Sequence, residues 1–186
     1  MYLFTKQIDF NAPVPILHQA LQIAIYDEYR AQASYQRILD TFGQVAPFRH
    51  IVEAETRHIN ALLPLLKRYQ VPIPVNDWYP NVTPAQTLRE NCELGVAAEI
   101  QNVQMYDHLL NYVSQADIRH TFMNLREASL TNHLPAFRQC AAAQQAISYT
   151  NSCTSVGSQP SWLWVLGGIA VGFMVSKAVR TELGAS

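Results

Sequence analysis

The sequence predicts an all-α fold, a bundle of four long helices. In four segments apolar residues recur at steps of three and four, the spacing of an amphipathic helix. The first and third connections between these segments are short, and the middle one is long. No segment has the two-residue period of a β-strand. With 186 residues, 49% of them hydrophobic, the chain is long enough to bury a sizeable core.

The first two helices are predicted at residues 14–41 and 47–69. Leu17, Leu21 and Ile25 begin the apolar stripe of the first helix, and a glycine at position 43 follows its end. Proline suits the first turn of a helix, so the proline at position 47 marks the start of the second.

A long crossover is predicted at 70–83, because its proline, asparagine and aspartate residues are typical of loops. Thr83 and Pro84 then suit the N-cap and the first position of a third helix that ends near Val113. The fourth helix is predicted at 117–147, where Asp117 complements the helix dipole.

The C-terminal part is predicted to cross a membrane. The bundle at 1–147 is followed by a polar linker at 148–161, a transmembrane helix at 162–180 and a tail at 181–186. The uncharged run is about 15 residues long, which is shorter than a typical transmembrane helix. It approaches that length if the Lys177 side chain extends its charged end to the membrane surface, so that the helix continues past it. The alternative is a hydrophobic helix packed on the bundle.

Three further expectations concern partners and location. Gly168 and Gly172 form a G-x-x-x-G, which favours a homo-oligomer through packing of the membrane helices. The N-terminus has no signal-peptide pattern, so we expect a single-pass C-terminal anchor with the bundle on the cytoplasmic side. The net charge of −1 gives no basic excess, which argues against nucleic-acid binding.

The three cysteines are odd in number and widely spaced, and no C-x-x-C is present. This pattern predicts neither a zinc ribbon nor a disulfide framework. Cys92 and Cys140 are interpreted as small core residues of helices.

Each predicted helix carries a metal-binding type of side chain in the middle of its apolar stripe. A lone Glu on two helices and Glu-x-x-His on the other two is the di-metal carboxylate pattern of helix bundles. Carboxylates bridge two cations, and non-haem iron accepts mixed oxygen and nitrogen ligands. A core carboxylate satisfied by an arginine explains one such residue, but it explains poorly the whole set: Glu28, Glu55, His58, Glu99 and His133.

Four segments resemble the ferritin-like superfamily and, within it, the rubrerythrin-like branch. The resemblance covers about residues 14–145 and implies a ferritin-like four-helix bundle with a long crossover between its second and third helices. It also implies one or two non-haem iron ions, with manganese as an alternative, and reaction with dioxygen or hydrogen peroxide. The matching segments are Asp27-Glu-Tyr-Arg-Ala-Gln-Ala-Ser-Tyr35, Glu55-Thr-Arg-His58, Ala98-Glu-Ile-Gln-Asn-Val-Gln-Met-Tyr106 and Thr131-Asn-His-Leu-Pro-Ala-Phe137.

The fourth helix departs from that family pattern. The resemblance implies a glutamate three residues before His133, but Leu130 stands there. Glu127 lies about 120° away around an ideal helix and would coordinate only if the helix is distorted. Arg126 lies closer to the ligand face and is expected to pair with a carboxylate instead. One bridging carboxylate is therefore missing, and a single-metal site is an alternative.

Tyr35 and Tyr106 each lie seven residues after a predicted ligand, on the same helix face. One interpretation is hydrogen bonding to the ligands or quenching of radicals near the metals. The other is that both are ordinary core aromatics.

Together with these patterns, the resemblance implies a membrane-tethered non-haem iron protein that oxidises Fe(II) with oxygen or peroxide, or scavenges peroxide. Glu55 would bridge the two metals, Glu28 and His58 would complete one site, and Glu99 and His133 the other. A peroxidase would need an external electron donor, since the chain lacks rubredoxin-type cysteine pairs. The alternatives are a non-catalytic metal-binding or scaffold bundle that oligomerises through its membrane helix, and a di-iron oxidase of a lipid or quinone.

Overall fold

The structure is a computed structural model that describes residues 5–154, and every regular element in that range is helical. A π turn joins the last two α-helices end to end, so the described chain forms four helices packed as a bundle. The elements are α1 (Ile16–Phe42), α2 (Phe48–Arg68), α3 (Leu88–Leu109), α4 (Ala116–Ala128), the π turn (Ser129–His133) and α5 (Leu134–Thr154).

Two hydrophobic clusters form the core, and each draws residues from all four bundle helices. The larger cluster includes Ile23 of α1 and Phe122 of α4, and the smaller includes Phe48 of α2 and Phe137 of α5. On every helix the sequence passes from one cluster to the other through a short buried polar stretch. The bundle therefore contains a polar layer between two apolar ones.

The third helix begins four residues later than its predicted start at Pro84. Thr87 is the N-cap, and it forms a capping box with Glu90, in which each side chain bonds the other residue's backbone N–H. The Asn91 amide also bonds the carbonyl oxygens of Ala85 and Thr87. The capping box satisfies the backbone N–H groups of Thr87 and Glu90, and the Asn91 amide holds the residues before the helix, which explains why the helix starts at Leu88.

The π turn lies directly before a proline in the fourth helix. Pro135 has no backbone N–H to bond the carbonyl of Thr131, and its ring would clash with that carbonyl in a regular α-helix. A wider turn separates these groups, and the backbone N–H of Leu134 bonds the Ser129 carbonyl in the five-residue π spacing. This distortion decides which residues of the fourth helix face the bundle interior.

A disulfide between Cys92 and Cys140 joins α3 to α5, so the expectation of no disulfide is wrong, although Cys92 is buried in the core as predicted. Their Cα atoms are 5.8 Å apart, a normal separation for a disulfide. Gly95, one turn from Cys92, allows the same close approach, because a Cβ there would lie 2.6 Å from the ring of Phe137. The two helices are thus held together beside the polar layer.

The membrane predictions are corrected. In the part of the chain that the structure describes, no helix combines the length and the apolar character needed to span a bilayer. Each bundle helix instead has an outward polar face, as Arg57 and Lys67 illustrate on α2. The predicted transmembrane helix at 162–180, with its Gly168–Gly172 contact, lies outside the described residues, and α5 extends to Thr154, into the predicted linker.

Candidate metal centre

The structure brings all five predicted ligand residues together in the polar layer, as two groups that could each hold a metal ion. One group is formed by Glu28, Glu55 and His58, and the other by Glu55, Glu99 and His133. Within each group the ligand atoms lie within 4.8 Å of one another, and every residue is buried. Glu55 belongs to both groups, so its two carboxylate oxygens could serve two adjacent ions.

Each imidazole turns its Nδ1 atom toward a pair of carboxylates. His58 Nδ1 lies 3.1 Å from Glu28 Oε2 and 3.0 Å from Glu55 Oε2. His133 Nδ1 lies 3.3 Å from Glu55 Oε1 and 3.4 Å from Glu99 Oε2. The two rings are stacked, with centroids 5.4 Å apart. The two histidines thus occupy equivalent positions on facing helices.

The donor set fits a metal ion. His133 Nδ1 is buried and makes no hydrogen bond to the described chain, although two carboxylate oxygens lie within 3.4 Å of it. Buried polar atoms are nearly always satisfied, so an orphaned nitrogen between carboxylates needs a partner. Three carboxylates and two imidazoles are a mixed oxygen and nitrogen set that suits iron, and also manganese or zinc.

Without a metal, protons take the place of the cations. Burial alone would lower the pKa of His58, but its contacts with Glu28 and Glu55 raise that pKa to about 10. For His133, burial is likewise outweighed by Glu55 and Glu99, which raise the pKa to about 9. Both imidazoles are therefore cationic near neutral pH when no metal is bound.

The two carboxyls of the first group differ in their pKa shifts. Burial, together with the nearby Glu55 charge, raises the pKa of Glu28. Burial also acts to raise the pKa of Glu55, but the close contacts of its carboxylate with the imidazoles of His133 and His58 outweigh burial and lower the pKa. Of these two carboxyls, Glu55 is therefore the one that the surrounding groups keep ionised, as a bridging ligand requires.

Both predicted tyrosines bond ligand carboxylates, which distinguishes them from ordinary core aromatics. The Tyr35 hydroxyl donates to Glu99 Oε1 at 2.6 Å, and the Tyr106 hydroxyl donates to Glu28 Oε1 at 2.5 Å. Burial and the adjacent carboxylates raise the pKa of each phenol well above its usual value, so both remain protonated donors. They fix the orientation of one carboxylate on each side of the centre.

The fourth helix contributes no carboxylate to either group. Glu127 points outward with its side chain 60% exposed, 4.0 Å from Arg126, despite the π turn that follows it. Arg126 pairs with a carboxylate as expected, and its partner is Asp107, which is not one of the five ligand residues. The wide turn also rotates Leu130 to the surface and leaves Ser129 buried.

The sequence interpretation missed a hydrogen-bond network, centred on Asn102, on this side of the centre. Ser129 Oγ donates to Asn102 Oδ1 at 2.9 Å, and Asn102 Nδ2 donates to Asp27 at 3.2 Å and to Glu28 at 3.4 Å. Asp27 in turn is paired with Lys6, at 2.7 Å. Asn102 lies three residues after Glu99, on the ligand face, and this spacing was the signal that could have revealed it.

The sequence matches no protein-family model and no curated protein. Among solved structures, the chain is similar to a hypothetical protein, MJ0754, from Methanococcus jannaschii DSM 2661, with a TM-score of 0.64. The two chains are 19% identical over 75% of this chain and 87% of that one. At this level of identity the likeness concerns the fold alone.

Proposed function

We propose that this protein is a ferritin-like, rubrerythrin-like non-haem iron protein that oxidises Fe(II) with dioxygen or peroxide, or reduces peroxide. The observation that supports it is the pair of buried ligand groups that share Glu55. Glu28 and His58 would hold one ion, Glu99 and His133 the other, and Glu55 would bridge them. Bound iron supplies the electrons and the Lewis acidity that activate dioxygen or peroxide.

The chain's own residues position and insulate that chemistry. The hydroxyls of Tyr35 and Tyr106 hold Glu99 and Glu28 in place, so the carboxylates need little rearrangement when a cation binds. The two apolar clusters shield the centre from water in the two directions along the helices. Reduction of peroxide to two waters consumes two electrons and two protons, so sustained turnover requires an external donor.

Peroxide consumption by iron-loaded protein tests this proposal. The full chain is loaded anaerobically with Fe(II), freed of unbound metal, and mixed with hydrogen peroxide in the presence of ascorbate. We expect catalytic turnover in the wild type and in the surface control His120→Gln, and its loss in Glu55→Gln. Equal rates in Glu55→Gln and wild type, or rates no greater than those of free iron, would contradict the proposal.

A further inference from the structure

A cavity of about 500 Å³ lies between α2 and the π-turn region, with both histidines of the metal centre in its wall. Three alanines, Ala54, Ala128 and Ala136, leave the space open, because no long side chain fills it. The outer part of the wall carries polar groups from His50, Arg57 and Asn132.

The outer nitrogens of the two histidines have no acceptor in the described chain. In each ring Nδ1 is turned toward the carboxylates, so Nε2 is on the opposite side, toward the cavity. Neither Nε2 makes a hydrogen bond to a described residue, and neither atom is fully enclosed, so both reach the open space although His58 is only 8% exposed and His133 only 4%. Metal-binding histidines almost always donate their second N–H to a carboxylate, a carbonyl or water. Among residues 5–154 no carboxylate or carbonyl accepts these N–H groups.

The described residues that line the cavity include a cation and no carboxylate. Its charged group is the Arg57 guanidinium, which makes no ion pair with another described side chain. Glu127, next to Ala128, is outside the wall and lies beside Arg126. Two stacked imidazoles, a guanidinium and the Asn132 amide line one space, and such a set of N–H donors suits an oxyanion.

We propose that this cavity is an anion site that takes a small oxyanion, such as sulfate, phosphate or a carboxylate. The anion accepts hydrogen bonds from the Nε2–H groups of His58 and His133 and pairs with Arg57. It thereby serves as the missing outer partner of both metal-binding imidazoles. The inference rests on the proposed metal site in one respect. A neutral imidazole carries one ring proton, and if Nδ1 binds the metal, that proton is on Nε2, where it can be donated to the anion.

Anion titration followed by NMR tests the proposal. The full chain is loaded with Zn(II), which is diamagnetic, and its zinc content is measured. Sulfate and acetate are then titrated against chloride at matched ionic strength, and the imidazole Nε2–H signals of both histidines are recorded. We expect saturable shifts of these signals with sulfate or acetate and none with chloride.

Matched arginine variants identify the cation. Arg57→Gln should weaken sulfate or acetate binding roughly three- to tenfold, since a charge-assisted hydrogen bond is lost. Arg49→Gln, which removes an exposed arginine of the same helix outside the cavity, should leave the affinity unchanged. Histidine signals that do not respond to either oxyanion, or equal affinities in Arg57→Gln and wild type, would overturn the anion site.

The two proposals fail separately in this experiment. Zinc bound without any histidine response to the oxyanions would contradict the anion site and leave the metal site standing. Absence of zinc would contradict the metal site, and the same titration on metal-free protein would then support or overturn the anion site.

Discussion

Metal binding at neutral pH should release about two protons per chain. The pKa values of His58 and His133, about 10 and about 9, keep both imidazoles more than roughly 99% protonated at pH 7. A ligand nitrogen must lose its proton before it binds a metal. For His133 this competition lowers the apparent association constant at pH 7 about 100-fold relative to high pH, or by roughly 2.7 kcal/mol.

Calorimetric titration with Mn(II) measures the released protons. The metal-free chain is titrated at pH 7 in two buffers that differ in ionisation enthalpy, and the difference in heat gives the number of protons. His133→Gln should release about one proton fewer, and His120→Gln, at a surface histidine, should match the wild type. Release of less than one proton by the wild type would show that the imidazoles are neutral before the metal binds, and would refute the reasoning.

Three further changes have defined outcomes. Metal-free protein should lose stability as pH rises through about 9 to 10, because folding raises the pKa values of both imidazoles and their contribution to stability is complete only below about 6.5. Melting curves recorded with a chelator at pH 7 and pH 9.5 check this, and equal melting temperatures would contradict it. Tyr106→Phe should weaken metal binding about 10- to 100-fold, whereas Tyr112→Phe should not, as measured by competition with a chelating dye. Gly95→Ala should destabilise the bundle by about 1–3 kcal/mol in urea unfolding, because its Cβ would overlap the Phe137 ring; a change below about 0.5 kcal/mol would show that the ring moves freely.

Much of the bundle could be predicted from local patterns. Long amphipathic stripes predict α1 and α2 to within about two residues of their observed ends, because burial of one helix face is encoded in the residue spacing. The same stripes predict which polar side chains point inward. This is why Glu28, Glu55, His58, Glu99 and His133 could be expected to converge before the fold was known.

Features that depend on backbone detail or on pairing across the bundle could not be predicted in the same way. The α3 start was misplaced because Thr83-Pro84 and Thr87 both resemble helix caps, and the bonds of Asn91 decide between them. The π turn is explained by Pro135. The turn changes which residues of the fourth helix face inward, and a calculation that assumes an ideal α-helix does not include this change. The Cys92–Cys140 disulfide joins residues 48 positions apart, and the residue spacing within each helix does not predict which distant residues come into contact.

Metal stoichiometry tests the central claim most directly. The full chain is prepared metal-free, saturated anaerobically with Fe(II), separated from unbound metal and analysed for iron by plasma emission. Two ligand groups that share Glu55 predict two iron ions per chain in the wild type, and a clear loss of iron in Glu55→Ala. Less than one iron per chain in the wild type, or the same content in Glu55→Ala, would contradict the claim.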